Sequence, residues 1–420
     1  MKRLHCALLT GALAAALTVP AYAADFTHCA DSLKELGLFA GTNQGYELDR
    51  AATRAEAGVM LVRLLGKETE AKQTAYTAPF TDVADWAKPY VGWLYQNQLT
   101  AGVSNTAYGP NNTITPQQYA TFLMRALGYS DQNGDFTYAD ALEFAEEKGV
   151  VNALNCDTKT FLRDDVVAMS YTALSRPVKG AKDNLLALLV QKNAVSQNTA
   201  SNYLLRFQNY SGYEAACESV RAVDRRETET TTDLVVTQNG QTTGQAHLKT
   251  EASSVDGGST FASVTRQNDE VIAAMYYDDG ILYQLQDGKT ISRRTELTAA
   301  DTDLSEALPL CMFSRVQATG AVGGVATYTL TAVPDLADRV VTETALTQGF
   351  ASLTESGFSV DKLVYTVGTD IDGSLNRKQA EMGFTTQIGG KNAGVTMRMD
   401  TYLTATGNSV RVTVPDEIDR

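Results

Sequence analysis

Thr53-Arg54-Ala55-Glu56 opens a stretch that closes on Arg63-Leu64-Leu65-Gly66, and the chain repeats that stretch twice more. Thr115-Pro116-Gln117-Gln118 opens a second copy of the same length, closing on Arg125-Ala126-Leu127-Gly128. Leu162-Arg163-Asp164-Asp165 opens a third, which closes near Thr172-Ala173-Leu174. The apolar positions coincide without gaps. Ala57, Met60, Leu61, Leu64 and Leu65 align with Tyr119, Phe122, Leu123, Ala126 and Leu127, and then with Val166, Met169, Ala173 and Leu174. Spacing at i, i+3, i+4 and i+7 predicts one buried face on each of three helices. Internal repetition of this kind predicts like units that bury those faces against one another.

Each unit reads as a helix, a glycine-bearing loop and a second, periodic helix. In the second unit Phe80-Thr81-Asp82-Val83 leads into a helix carrying Trp86, Tyr90, Val91 and Leu94. A loop with Gly102, Tyr108, Gly109 and Pro110 follows. The first unit has Leu33, Leu36, Gly41, Gly45 and Tyr46 in the corresponding places, and the third has Phe136, Thr137, Leu142, Ala145 and Gly149. Thr53 with Glu56 forms a capping box, in which the hydroxyl takes an orphan amide and the carboxylate reaches back. Thr115 with Gln118 keeps that chemistry, and Pro116 sits at the first helical position, where no amide is needed. Asp164 and Asp165 favour a helix start electrostatically.

The repeats sit within a chain of 420 residues, long enough for two or three domains. Residues 1–24 read as an export signal. Lys2 and Arg3 form its basic start, Ala7 to Val19 its apolar stretch, and Ala21-Tyr22-Ala23 its cleavage site. No other long apolar run occurs, so no transmembrane segment is expected in the mature chain. The formal charge of −14 argues against a nucleic-acid partner. Cys29, Cys156, Cys217 and Cys311 lie beyond the signal without CxxC spacing. They allow two bridges, Cys29 with Cys156 and Cys217 with Cys311, or four buried thiols.

Residues 25–178 form the repeat region, with units at about 25–67, 78–129 and 134–176, and residues 179–204 read as a short helix and linker. A further helix is expected over Tyr213 to Val223. From 205 to 420 the period becomes two. Strand-like runs cover Asp233 to Thr237, Gln245 to Glu251, Thr260 to Arg266, Val271 to Tyr277 and Ile281 to Leu285. They resume at Val325 to Ala332, Val360 to Val367, Gly383 to Ile388, Val395 to Tyr402 and Val410 to Val414. Asn239-Gly240, Asp256-Gly257, Asp279-Gly280, Asp287-Gly288 and Asp372-Gly373 supply turns. A helical stretch over Leu336 to Leu353 interrupts the series. The expected fold is thus an all-α three-repeat helical bundle followed by an α+β domain built on a mostly antiparallel sheet.

Catalytic signals are thin. His28 and His247 are the histidines beyond the signal, and they fall in different halves. No metalloprotease, serine-hydrolase or nucleotide-binding motif occurs, so the residues imply no cofactor, no metal and no catalytic group. Asp131-x-Asn133-x-Asp135 has the alternation of a calcium loop, but Phe136 and Leu142 stand where glycine and glutamate belong. Asp370-x-Asp372-Gly373 reads better as a hairpin turn. Arg54 and Arg163 hold equivalent positions, and Trp86 and Trp93 are the two tryptophans. Arginine with carboxylates and aromatic faces suits an acidic glycan, while capping and core packing explain the same residues without a ligand.

Phe80-Thr81-Asp82-Val83, Trp86-Ala87-x-Pro89-Tyr90-Val91, the Gly102 loop and Thr53-Arg54-Ala55-Glu56 resemble S-layer homology repeats, and three units is the number that family uses. The resemblance implies a bundle whose inter-repeat grooves bind secondary cell-wall polymers, often pyruvylated. It implies glycan contacts at Arg54 and Glu56 in the first repeat, Asp82 and Trp86 in the second, and Arg163 in the third. Pro116 and Gln118 replace the motif arginine and glutamate, which predicts an inactive groove in the second repeat. The first repeat lacks the tryptophan, and the third has Leu-Arg-Asp-Asp for its motif. The second half is similar, around Tyr276-Tyr277-Asp278-Asp279-Gly280 and Val410 to Pro415, to extracellular lipoprotein-carrier-like domains. Some of those hold an apolar ligand. The resulting expectation is a secreted, non-enzymatic protein at a bacterial cell surface, anchored to wall polysaccharide. Its second half binds a ligand or is displayed; the alternative is a wall-active hydrolase.

Overall fold

The computed structural model describes residues 26–278, 280–286, 289–294, 307–322, 325–338, 359–388 and 390–415. The expected export signal lies outside the described residues, as does the helix expected over Leu336 to Leu353 beyond residue 338. The chain divides into two compact units. The first is Ala23–Phe207 with Pro309–Cys311; the second runs over Gln208–Leu308 and from Met312 onward. Among the described residues no helix is long and apolar enough to cross a membrane.

In the first unit the periodic stretches are helical: α2 (Arg54–Leu64), α5 (Pro116–Ala126) and α7 (Arg163–Leu174). Their apolar faces are the core, with Ala57, Leu61, Tyr119, Phe122, Leu123, Val166 and Met169 each at most 1% exposed. Full burial of side chains of this size stabilises by roughly 1.5–3 kcal/mol each. The closing glycines act as caps. Gly66 at φ 65° lets the Lys67 amide reach Val62 and its own amide reach Arg63, and Gly128 repeats the pattern with Tyr129 and Met124.

An all-α bundle of three like repeats is not what these helices make. The other helices are short: α1 (Thr27–Glu35), α3 (Glu68–Gln73), α4 (Lys88–Gln96), α6 (Ala141–Glu147) and α8 (Leu185–Gln191). Irregular chain of comparable extent separates them and carries bridges at Thr42 with Gly45, Thr53 with Thr113, and Pro177 with Asn184. Helices also pair between repeats rather than within them, α4 on α2, α6 on α5 and α1 on α7. Loop carbonyls hold the helix starts. The Arg54 and Ala55 amides donate to Asn112 and Pro110 at 2.8 and 3.1 Å, and those of Arg163 and Asp164 to Arg50 and Leu48 at 2.9 and 3.1 Å. Helical periodicity reports each buried face, but these backbone bonds between distant loops and helices have no local spacing to reveal them.

Helix α9 (Gln197–Arg221) contains the boundary between the units. The second unit is one antiparallel sheet of 11 strands, ordered β6-β5-β4-β3-β2-β1-β11-β10-β9-β8-β7. Its strands are β1 (Arg226–Gln238), β2 (Gln241–Val255), β3 (Thr260–Gln267), β4 (Glu270–Asp278), β5 (Ile281–Gln286) and β6 (Lys289–Arg294). They continue as β7 (Phe313–Val322), β8 (Val325–Ala332), β9 (Ser359–Thr369), β10 (Leu375–Ile388) and β11 (Lys391–Thr406). The antiparallel sheet expected here is present. Val410 to Val414 is not a strand; Val412 and Val414 pack instead on Ala262, Ala274, Tyr276 and Tyr283.

Strand register sorts the side chains. Leu234, Met397, Met382 and Leu363 stand abreast on one face, while Asp233, His247, Arg398 and Glu381 stand on the other. From Gln208 onward α9 sets buried Tyr210, Tyr213 and Ala216 into this unit, and Tyr213 meets Phe313 edge-on at 6.1 Å. The opposite face is a lattice of exposed ion pairs, including Lys249 with Glu229 and Lys362 with Glu381. Each such pair contributes little to stability.

Candidate functional site

Both threonine capping boxes form. The Glu56 amide donates to Thr53 Oγ1 at 3.2 Å while Glu56 Oε2 accepts from the Thr53 amide at 2.9 Å. Thr115 and Gln118 make the same two bonds, at 3.2 and 3.4 Å. Leu162 has no oxygen to offer, so only the reverse bond remains there, from its amide to Asp165 Oδ2 at 2.7 Å.

Just inside each cap the motif arginines meet different surroundings. Arg54 is 5% exposed, its guanidinium between the rings of Tyr108 and Phe122 at 5.0 and 5.1 Å. Its Nη2 donates to Thr100 Oγ1 at 3.3 Å, and its Nε is buried without a hydrogen-bond partner. No carboxylate pairs with it among the described residues. Burial pushes its pKa down, yet a guanidinium stays charged at any ordinary pH. Two aromatic faces return roughly 0.5–2 kcal/mol each. A buried charge without an opposite charge is otherwise costly.

Arg163 is 3% exposed and better satisfied. Its Nε donates to the Tyr46 carbonyl at 3.0 Å, and Nη1 lies 3.9 Å from Glu56 Oε2. Arg50 also grips Glu56, donating from Nη1 and Nη2 at 2.9 and 2.7 Å. Burial works to raise the Glu56 carboxyl, but Arg50, the Thr53 amide and Arg163 outweigh it and hold the pKa below its usual value.

The remaining sites read from sequence divide. Asp82 accepts the Tyr108 and Gly109 amides at 2.8 and 2.9 Å, which fixes the loop bearing the ring over Arg54. Trp86 is 57% exposed. Trp93 is buried, and its indole N–H donates to Glu70 at 2.8 Å. Arg163 and Glu56 thus come together, Asp82 reaches Arg54 only through Tyr108, and Trp86 stands exposed. Tyr108, Phe122 and Thr100 were not read as site residues. Their signal was faint: Phe122 counts only as core in the helical period, and Tyr108 only as a loop residue.

The other candidates have structural uses. Asp131 is gripped by Arg125 at 2.8 and 2.6 Å, and Asp135 by Lys179 and the Ser130 amide. Those carboxylates are committed to ion pairs, not arranged around a cation. Asp370 and Asp372 close a hairpin, with Gly373 and Ser374 amides donating to them at 2.9 and 3.0 Å. His247 pairs with Asp233 across two strands at 2.7 Å in an exposed setting. Cys29, Cys156, Cys217 and Cys311 are buried, and none is in a disulfide.

Residues 79–120, from the second repeat, match the S-layer homology domain. The middle cell wall protein of Brevibacillus brevis is 29% identical over 164 residues, 38% of this chain and 16% of that protein. The surface layer protein of Brevibacillus choshinensis is 32% identical over 143 residues, 31% of this chain and 13% of that protein. An endoglucanase from a Bacillus species is 28% identical over 117 residues, 12% of its own length. The chain therefore carries S-layer homology sequence and stands among secreted bacterial cell-surface proteins. It spans less than a fifth of each of these relatives. Among solved structures, lipoprotein LppX of Mycobacterium tuberculosis covers 49% of this chain and 98% of its own, at 13% identity and a TM-score of 0.25.

Proposed function

We propose that the first unit tethers this protein non-covalently to an anionic secondary cell-wall polymer, with Arg54 as the principal contact. The observation that carries the reading is a guanidinium buried between two aromatic rings, with one nitrogen unsatisfied and no carboxylate pairing with it among the described residues. A sugar bearing a carboxylate, such as a pyruvate ketal, supplies the missing charge and hydrogen-bond acceptors, and Tyr108 offers an apolar ring beside it. Exposed Trp86 is a second surface suited to a sugar face. Binding of the whole chain to isolated wall sacculi, before and after chemical removal of the secondary polymer, tests this. Retention on stripped sacculi at the untreated level contradicts it.

The second unit is the part held at the surface. Half-buried Leu234, Met397 and Met399 on one sheet face are suited to an apolar ligand. Native mass spectrometry of the purified protein tests that use, which a ligand-free spectrum contradicts. The hydrolase names among the relatives belong to proteins of which this chain matches only 12% in the endoglucanase and 7% in an amylopullulanase. We read the chain as a binding protein.

A further inference from the structure

The two buried motif arginines have different surroundings, and one difference is of charge: a carboxylate lies near Arg163, and none pairs with Arg54 among the described residues. Arg163 docks on the first repeat, where its amide bonds the Arg50 carbonyl and its side chain lies near Glu56. Arg54 docks on the second repeat in the same register, its amide on the Asn112 carbonyl and that of Ala55 on Pro110. In that register Gln118 stands to Arg54 as Glu56 stands to Arg163. Both close the same capping box, so the difference between them is the charge. Asn112 likewise stands where Arg50 would reinforce the carboxylate.

We infer that the capping-box residue of the neighbouring repeat decides which arginine is open to an anionic sugar: Glu56 occupies Arg163 from within, and Gln118 leaves Arg54 open. This rests on the glycan reading above and adds its valency, one anionic group per chain. The inactive groove expected in the second repeat, from Pro116 and Gln118 together, concerns that repeat's own motif; the effect inferred here for Gln118 falls on Arg54. Gln118 is the feature that leaves Arg54 without a neighbouring carboxylate. A carboxylate near Arg163 already supplies what a ligand would bring, so an incoming anion gains little there and meets repulsion from Glu56.

The test is calorimetric titration of the whole chain with a methyl glucoside bearing a 4,6-linked pyruvate ketal. The unaltered protein should bind one equivalent. Gln118→Glu should weaken binding by about tenfold or more, the size of one lost charge-assisted contact. Glu56→Gln should raise the stoichiometry to two. Each substitution installs the residue that already caps the other repeat, so thermal melts should show both variants folded. Where Glu56→Gln loses stability with its Arg50 pair, Gln118→Glu still carries the test. Both variants binding one equivalent at unaltered affinity overturns the inference. Weakened Gln118→Glu with Glu56→Gln still at one equivalent upholds the Arg54 half and overturns the Arg163 half. No binding by the unaltered protein removes the glycan reading itself, and this inference with it.

Discussion

Trp93 donates its indole N–H to Glu70 at 2.8 Å, and through that bond the short helix α3 is fastened to α4. Tyr76 adds a hydroxyl to the same carboxylate at 3.0 Å, and Lys67 an ammonium at 2.6 Å. On the same two helices Tyr90 donates to Glu68 at 2.8 Å, where Arg63 and Lys72 also converge. Of the two tryptophans, Trp93 is therefore a structural donor.

These carboxylates should make the first unit acid-sensitive. Glu70 is held down to about 2 by Lys67 and Trp93. Glu68 also lies at about 2, where Arg63, Lys72 and Tyr90 overcome the opposing effect of burial. Both folded pKa values lie below the unfolded value of about 4.3. Their contribution is complete above that pH and is lost as pH falls toward 2. The melting temperature should decline over that window. Glu70→Gln should lower it by about 2–4 °C at pH 7, after allowance for solvent screening, and flatten the decline. An identical acid profile in the variant contradicts the assignment.

Thr53→Ala removes one oxygen from a cap that both its bonds show to be formed. It should cost about 1 kcal/mol by denaturant titration, with wall binding unchanged once the protein is folded. A loss of affinity in folded Thr53→Ala would mean that the hydroxyl touches the ligand.

Gly92 lies in α4 where a Cβ would stand 2.6 Å from the Tyr76 carbonyl oxygen. Backbone cannot swing aside as a side-chain tip can. Gly92→Ala should destabilise by about 1–3 kcal/mol even though alanine is the better helix former. A stabilised variant would show that the helix and the Tyr76 segment are not in contact.

The four cysteines beyond Cys6 are buried without a disulfide. Thiol reagents should label none of them quickly in the folded protein and all four after unfolding without reductant. Fewer than four would reveal a bridge.

Local chemistry was legible in the sequence and distant pairing was not. The helical faces, the two threonine caps and the glycine stops all follow from spacings within a few residues. The strands were found where alternation is clear. β7, with Ser314, Gln317 and Thr319 among its residues, offered no such period and was missed. Arg163 with Glu56, and Arg54 with Tyr108 and Phe122, join residues from different repeats, and nothing local marks either. Gln118, judged within its own repeat, reads as a lost motif residue; the effect on Arg54 inferred for it crosses between repeats.

The proposed hold of Arg54 on an anionic sugar decides whether the first unit is a tether. Its most direct test compares the unaltered chain with Arg54→Lys in binding to sacculi carrying their secondary polymer. Lysine keeps the charge but cannot present a planar pair of donors. The lysine variant, confirmed folded by its melting curve, should bind roughly tenfold or more weakly, and free pyruvylated glycan should raise the melting temperature of the unaltered protein alone. Folded Arg54→Lys that binds sacculi as tightly as the unaltered protein would leave the motif a cap and a core arginine, with no glycan contact there.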